Sequence, residues 1–317
     1  MPIAFIFPGQ GSQAVGMGRD LAAAFAPARE VFEEVDETLK HRLSKLMFEG
    51  PPETLTLTEH TQPALMAHSL AVLRVLEYEG GLRLADRAAL VAGHSLGEYS
   101  ALAASGAFSV AQAARLLQVR GQAMQAAVAP GTGAMAALLG LELALATEIC
   151  AAAADGPDGQ EVVQPANDNG GGQVVISGHK GAVERAIEIS KARGVKRAML
   201  LPVSAPFHCS LMEPAAEAMA RAFEETPPRP PLLPLVANVT ARKATDPGEI
   251  ARLLVEQVTA TVRWRESVLE MLAIGIDRFV EIGAGKVLAG LVRRIAPDAQ
   301  VTSVGSPADI ELFLKTV

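Results

Sequence analysis

The chain has 317 residues, half of them hydrophobic and only 4% aromatic, so it can bury a sizeable core of Ala, Leu and Val. Its formal net charge of −7 argues against a general nucleic-acid-binding protein. The two cysteines, Cys150 and Cys209, are too far apart to suggest a disulfide framework and match no zinc-ligand spacing, which favours a reducing cytoplasm. The first residues lack a basic leader, and the longest uncharged stretch, 121–141, is broken by polar residues and Pro130, so we predict neither a signal peptide nor a membrane span.

The predicted elements begin with a short strand at Ile3–Phe7, which ends in the loop sequence P-G-Q-G. One long helix is predicted from about Gly18 to Leu39. A second is predicted from about Thr61 to Glu79, with Pro63 at an early helical position. Farther along, S-V-A-Q at residues 109–112 has the pattern of a capping box and predicts a helix to about Met124.

Between residues 131 and 203 the pattern changes. Strand-like GAMAALLG, helix-like LELALATEICAAAA and strand-like EVVQPAN are followed by strand-like QVVISG, helix-like AVERAIEISKAR and strand-like VKRAMLLPVS. This β-α-β-β-α-β order is the ferredoxin-like signature and predicts a small inserted domain at 131–203. The flanking segments, 1–130 and 204–317, then form one large α/β domain, with further strands predicted at Leu233–Val239 and Asp277–Gly283.

The apolar run AALVA at residues 88–92 leads into G-H-S-L-G, a Gly-x-Ser-x-Gly pattern with Ser95 at its centre. A strand, a sharp turn and a helix with serine at the turn are typical of a nucleophile elbow. The main-chain N–H of Leu96 then becomes a candidate oxyanion donor, because it follows the nucleophile at a helix N-terminus. The alternative is an ordinary glycine-rich turn between a strand and a helix.

Serine needs a neighbouring base, and histidine is the usual one. The chain has six histidines: His41, His60, His68, His94, His179 and His208. We favour His208, because it lies in a loop after a predicted strand and Pro202 and Pro206 stiffen its approach. His94 adjoins the serine, but neighbouring side chains in such a turn point apart. The remaining four are interpreted as surface, packed or turn residues, and Cys209 as a small buried hydrophobic residue.

Six motifs occur in a fixed order along the chain: PGQGSQ (8–13), GHSLGEYSAL (93–102), VRGQAM (119–124), QVVISG (173–178), SAPFHCSLM (204–212) and VRW (262–264). Together they closely resemble the malonyl-CoA:acyl carrier protein transacylases of bacterial type II fatty-acid synthesis. The resemblance implies an α/β-hydrolase-like large domain with a ferredoxin-like insert. It also implies a monomeric cytoplasmic enzyme whose substrates are malonyl-CoA and holo acyl carrier protein, with no metal or redox cofactor.

The same resemblance implies roles for individual residues. Ser95 is the acylated nucleophile and His208 its base, and the backbone carbonyl of Gln257 orients the imidazole. The backbone N–H of Gln10 is the second oxyanion donor. Arg120 binds the free carboxylate of malonate, since a planar guanidinium suits a carboxylate. Without the resemblance, Arg120 would be interpreted as a surface arginine near the end of a helix.

Acyl carrier protein is typically acidic, so docking on an acidic enzyme calls for a local basic patch. Lys191, Lys196 and Arg197, which we call the insert basic group, form our candidate for carrier docking. Alone, such a group is more often a solvated face. A second group comprises Lys286, Arg293 and Arg294. The sequence GAGK at 283–286 lacks the features of a phosphate-binding loop and predicts a strand-to-helix turn.

Three other functions stay open from the sequence. A serine esterase or thioesterase shares the elbow and the histidine, but it has no need of Arg120. A non-catalytic interaction module could retain the fold as a scaffold. An acyltransferase for another extender unit, such as methylmalonyl, would differ in the acyl pocket, where Phe207 is a candidate for shaping the choice.

Overall fold

The computed structural model describes residues 2–157 and 159–316. Its strands are β1 (Ile3–Phe7), β2 (Ala88–Gly93), β3 (Gly133–Leu139), β4 (Asp155–Gly156), β5 (Gly159–Gln160), β6 (Val163–Asp168), β7 (Gln173–His179), β8 (Arg197–Leu200), β9 (Leu235–Ala237), β10 (Arg242–Ala244), β11 (Arg278–Ile282) and β12 (Gln300–Val304). Its helices are α1 (Arg19–Ala24), α2 (Ala26–Leu39), α3 (Leu43–Glu49), α4 (Pro52–Leu55), α5 (Thr58–Gly80), α6 (Leu84–Arg87), α7 (Gly97–Ala104), α8 (Val110–Ala126), α9 (Leu143–Ala153), α10 (Lys180–Ala192), α11 (Glu213–Glu225), α12 (Pro247–Glu256), α13 (Trp264–Ala273), α14 (Val287–Ile295) and α15 (Pro307–Leu314).

The larger sheet has six strands in the order β10-β9-β2-β1-β11-β12, all parallel except the edge strand β10. Successive residues of β1 enter opposite cores: Phe5 and Phe7 pack with one cluster, and Ala4 and Ile6 with another. Apolar residues at every position are expected for a parallel strand with both faces covered. The molecule is therefore an α/β protein, as predicted. The strands at 3–7 and 88–92 and those within 233–239 and 277–283 are confirmed, whereas β10 and β12 were not predicted.

The smaller sheet has four antiparallel strands in the order β6-β7-β3-β8. Helices α9 and α10 pack against it around a separate core that includes Ile149, Ile176 and Val183. Apart from the short pair β4–β5, the elements between residues 133 and 200 follow one another as strand, helix, strand, strand, helix, strand, as the sequence pattern predicts. The short pair β4–β5, inserted before β6, was not predicted. The domain limits 131–203 stay a prediction.

The predicted single helix over 18–39 is wrong. The chain forms α1 and α2, separated at Phe25, whose φ of −129° is extended. Pro27 explains the break, because a proline in a helix interior lacks an N–H and clashes with the preceding turn, whereas it fits the first turn of α2. The second predicted helix is found, but it begins at Thr58, so Pro63 lies inside it rather than at its start.

The site lies where the carboxyl ends of β1 and β2 meet. Phe7 is the register partner of Gly93, so the loop after β1 and the turn after β2 leave the sheet side by side. Ligand sites of open parallel sheets form at this edge.

Helix α8 packs on α5 and starts with the predicted capping box. In this box the Ser109 hydroxyl accepts from the Gln112 main-chain N–H, and the Gln112 side-chain oxygen accepts from the Ser109 main-chain N–H. Within the described ranges, no helix has both the length and the apolarity needed to cross a bilayer.

Candidate active site

Ser95 lies on a sharp turn between β2 and α7, with a left-handed φ of 54°. Such a conformation is costly for a residue with a side chain and persists only where its surroundings enforce it. A Cβ at Gly93 would overlap the backbone of Gly97, and a Cβ at Gly97 would overlap the Phe7 carbonyl. Gly93 is thus required because the turn packs against itself, and Gly97 because the turn closely approaches β1. Asn238, after β9, clasps the turn: its side chain donates to the Gly93 carbonyl (2.7 Å) and accepts from the Ser95 N–H (2.8 Å).

His208 reaches this turn from the loop between β8 and α11. Its Nε2 lies 2.7 Å from Ser95 Oγ, and its Nδ1 lies 2.9 Å from the backbone carbonyl oxygen of Gln257. A carbonyl can only accept, so Nδ1 carries the proton and Nε2 is left to accept from the serine. Burial, followed by the charge of Arg120, lowers the pKa of His208 to about 3, so the ring is neutral near pH 7. This is the protonation state that a general base requires.

Arg120 is buried, with 1% of its surface exposed, and the expectation of a surface arginine from the helical pattern alone is wrong. Its Nη1 donates to Gln62 Oε1 (2.7 Å), and its Nη2 donates to Gln257 Oε1 (2.8 Å) and Ser95 Oγ (3.1 Å). The guanidinium also lies 5.7 Å from the centre of the Tyr99 ring. Within the described residues these hydrogen-bond acceptors are all neutral, and Nε has no partner. The charge of Glu98 acts on Arg120, but no carboxylate hydrogen-bonds to the guanidinium among the described residues, which leaves it able to bind an anionic group beside Ser95.

Two main-chain N–H groups belong to segments that adjoin this turn. Leu96 follows the serine at the start of α7. Gln10 follows Gly9, where a Cβ would lie 2.6 Å from the His94 carbonyl oxygen, so the loop after β1 touches the elbow. In the part of the chain that the structure describes, neither the Leu96 nor the Gln10 N–H donates a hydrogen bond. Both are therefore available to a negative oxygen developing near Ser95.

Comparison with known proteins decides the family. A family model described as an acyl transferase domain matches residues 4–306. The chain belongs to the acyl transferase family. The malonyl CoA-acyl carrier protein transacylase of Escherichia coli K12 is 46% identical over 312 residues, 98% of each chain.

Two solved structures extend the comparison. The acyl-carrier-protein-S-malonyltransferase of Bartonella henselae is 53% identical and has a TM-score of 0.96, covering 100% of this chain and 99% of its own. A malonyl-transacylase in complex with a type II PKS acyl-carrier protein is 42% identical, with a TM-score of 0.95 and full coverage of both chains.

Sequence reasoning missed four groups in the site of this acyl transferase: Gln62, Glu98, Asn238 and the side chain of Gln257. All four are buried. Glu98 in particular accepts from the Asn238 N–H (2.7 Å) and from the Gln257 amide. Burial raises the pKa of the Glu98 carboxyl, while these donors and Arg120 act against the rise. For Glu98 the available signal was a single charged residue in an otherwise uncharged stretch after the elbow.

The other singled-out residues make no side-chain hydrogen bond to Ser95 or His208 within the described residues. His94 Nε2 lies 2.9 Å from Asn169 Oδ1. His68 is buried within α5, and Cys209 is buried beside Ser177. The GAGK segment is a turn between β11 and α14, as predicted. Within residues 2–157 and 159–316, no cluster of three His, Cys, Asp or Glu side chains could hold a metal ion.

The basic groups lie on the surface. Lys191, Lys196 and Arg197 are exposed, and Lys191 pairs with Glu188. The Lys196 side chain covers Gly140. Arg294 of the second group reaches the neighbouring loop, where it lies against Gly171 and donates to Gln173 Oε1 (3.2 Å). Because the Gly140 N–H bonds to the Gly172 carbonyl, the two basic groups flank adjoining loops.

A cavity of about 400 Å³ opens beside His208. It lies between the small-sheet unit and the segment after α12, and its lining includes Cys150, Pro165 and Thr261. His208 belongs to its lining, whereas Ser95 and Arg120 do not.

Proposed function

We propose that this acyl transferase moves the malonyl group of malonyl-CoA to the phosphopantetheine thiol of acyl carrier protein, through a malonyl-Ser95 ester, in fatty-acid biosynthesis. The names of the relatives support the substrates. The observation that carries the proposal is a buried Arg120 whose Nη2 lies 3.1 Å from Ser95 Oγ. A carboxylate-bearing acyl group on the serine would find its counter-charge there.

The reaction follows a ping-pong course. Ser95 Oγ attacks the thioester carbonyl while its proton passes to His208 Nε2, and the N–H groups of Leu96 and Gln10 stabilise the oxyanion. The carbon–sulfur bond breaks, and CoA leaves as a thiol with the proton from His208. The carrier thiol then gives its proton to His208, and its sulfur attacks the ester carbonyl. The bond between the acyl carbon and Ser95 Oγ breaks, His208 returns the proton to Oγ, and the malonyl group leaves as the carrier thioester. No metal or redox cofactor is required, because His208 carries each proton and no electrons are exchanged.

Selectivity for malonyl over acetyl groups comes from Arg120. An acetyl group leaves the guanidinium with neutral acceptors alone, whereas the malonyl carboxylate pairs with it in a buried, low-dielectric site. The Gln257 carbonyl takes the place of an acidic third member and holds the His208 tautomer. A serine hydrolase has no use for a buried arginine at this position, so Arg120 favours the transferase over the esterase or thioesterase.

The remaining parts of the proposal concern the molecule as a whole. The six-stranded unit, 1–130 and 204–317, is an α/β-hydrolase-like catalytic domain, and 131–203 is a ferredoxin-like subdomain, which the two strand orders support. The insert basic group contributes to docking of the acidic carrier. The family resemblance supports a cytoplasmic monomer.

Intact-protein mass after brief mixing with malonyl-CoA tests the function. The wild type should gain one malonyl group that clears on addition of carrier, and Ser95→Ala should gain none. Arg120→Ala should lose malonyl loading and gain acetyl loading. Arg115→Ala is the matched control, because Arg115 is an exposed arginine on the same helix. Release of free malonate without carrier would replace the transferase with a hydrolase, and an unmodified wild type would favour a non-catalytic scaffold.

A further inference from the structure

The Gln257 side chain lies at the centre of the site and has two possible orientations. Its Oε1 faces Arg120 Nη2 at 2.8 Å, and its Nε2 faces the Ser95 carbonyl oxygen at 3.0 Å and a carboxyl oxygen of Glu98. The two ends of a glutamine amide have nearly the same shape, so hydrogen-bond partners alone decide which end points where. The wrong orientation would place an NH2 group against the guanidinium, which has only donors.

Glu98 supplies the partner on the far side of this amide. It lies in the first turn of α7, with 1% of its surface exposed. One carboxyl oxygen accepts from the Asn238 main-chain N–H at 2.7 Å, which leaves the other to accept from Gln257 Nε2. Both carboxyl oxygens therefore accept hydrogen bonds. Replacing either oxygen with an NH2 group would place two donors against each other.

We propose that Glu98 is a positioning residue for malonyl selectivity, because its carboxyl group orients the Gln257 amide so that the amide oxygen holds Arg120 beside Ser95. The inference rests on the proposed role of Arg120 as the partner of the malonyl carboxylate. Orientation from the far side keeps the guanidinium in place before the acyl group arrives, which is the preorganisation that selective sites need. Within the described residues, the Glu98 carboxyl group makes no hydrogen bond to Ser95 Oγ or His208, and it acts through Gln257.

Glu98→Gln tests the proposal. One of its two positions must present an NH2 group to a donor, so the Gln257 amide loses its fixed orientation. We expect the kcat/KM for loading from malonyl-CoA to fall about tenfold, within the range measured for coupled residues in one network. Loading from acetyl-CoA should fall less than loading from malonyl-CoA, because an acetyl group has no carboxylate to pair with Arg120. Glu98→Ala, which removes both acceptors and adds no donor, should lower the malonyl-to-acetyl ratio in the same direction.

Glu281→Gln is the matched control. Glu281 is also buried, and its oxygens accept from the main-chain N–H groups of Leu288 and Ala289 at 2.9 Å each, at the start of α14. The substitution opposes donors in the same way but outside the Arg120 network. It should lower stability and leave the malonyl-to-acetyl ratio unchanged. Rates are normalised to the folded fraction measured by urea unfolding.

A double-mutant cycle shows whether Glu98 acts through Gln257. Gln257→Leu removes the amide and keeps the main-chain carbonyl that holds His208, and it should lower the malonyl-to-acetyl ratio by itself. Adding Glu98→Gln to this background should then have no further effect on the ratio. Additive effects would overturn the inference.

Arg120→Ala separates this inference from the proposed function. If Arg120→Ala loses malonyl selectivity while Glu98→Gln and Glu98→Ala keep it, the role of Glu98 is wrong and the function stands. If Glu281→Gln lowers the ratio as much as Glu98→Gln, the effect is not specific and the inference fails. If Arg120→Ala keeps selectivity, the proposed role of Arg120 fails, and the inference fails with it.

Discussion

The buried state of His208 makes the stability of this acyl transferase depend on pH in a predictable way. In the folded protein the pKa of His208 is lowered to about 3, mainly by burial, whereas the ordinary value is 6.5. Below pH 6.5 the unfolded chain therefore binds a proton that the folded chain refuses. The free energy of unfolding should fall as the pH falls through this range.

The size of the effect follows from the two pKa values. From about pH 8 to about pH 5, His208 should cost the folded state about 2 kcal/mol, since each pH unit below 6.5 costs about 1.4 kcal/mol while the folded pKa stays lower. His208→Asn removes this contribution. Asparagine tolerates the left-handed φ of 59° at this position, and its amide can still donate toward Gln257.

The assay is urea unfolding of wild type and His208→Asn at the two pH values. Other titrating groups are common to both proteins, so the difference between their pH dependences isolates His208. His68→Asn is a second comparison, because burial lowers the pKa of His68 to about 4 and, within the described residues, no hydrogen bond joins its side chain to Ser95 or His208. It should lose a similar pH-dependent contribution but keep malonyl loading, which His208→Asn should lose. Parallel pH dependences for wild type and His208→Asn would refute a neutral, buried base.

Three further predictions follow from the same geometry. Asn238→Ala should lower the free energy of unfolding by about 2–6 kcal/mol, because the buried Ser95 N–H and Gly93 carbonyl each lose a hydrogen-bond partner at a cost of about 1–3 kcal/mol. It should also slow malonyl loading. Urea unfolding measures the first effect and intact-protein mass the second, and unchanged values would show that Asn238 does not hold the turn. Cys150 and Cys209 should react with a thiol reagent far faster in the unfolded than in the folded protein. Burial raises the pKa of both thiols, that of Cys150 to about 12. Equal reaction rates in the two states would contradict their burial. Charge reversal of the whole insert basic group should raise the KM for carrier several-fold and leave loading from malonyl-CoA unchanged. An unaltered carrier KM at low salt would show that this group does not contribute to docking.

Local patterns predicted the elements whose causes are local. The capping box at Ser109 lies within one turn, and β1 and β2 are continuous apolar runs, so the sequence was sufficient for each. The break at Phe25 was also local, but its signal, Pro27, was overlooked. Strands β10 and β12 carry exposed residues in short segments and gain their stability from pairing with β9 and β11, which periodicity cannot reveal.

The site shows the same division. The Gly-x-Ser-x-Gly pattern predicts the elbow, because the turn packs against its own backbone at Gly93 and against β1 at Gly97. The burial of Arg120 does not follow from its helix. It depends on Gln62, Ser95 and Gln257, which lie 58, 25 and 137 residues away in the chain. The position was found only through the family resemblance, and Glu98 and Asn238 were missed because their partners are equally distant.

The acceptor that orients His208 belongs to the peptide backbone at Gln257. Every amino acid carries that carbonyl, so no single substitution at this position deletes it. Alanine scanning at Gln257 would therefore report only the loss of the side-chain amide, because the carbonyl that accepts from His208 is retained. The support is vulnerable instead to changes in chain path, such as an inserted or deleted residue between α12 and α13. A substitution at position 257 therefore keeps the acceptor that orients the catalytic base, whereas a change in the length of this loop can displace it.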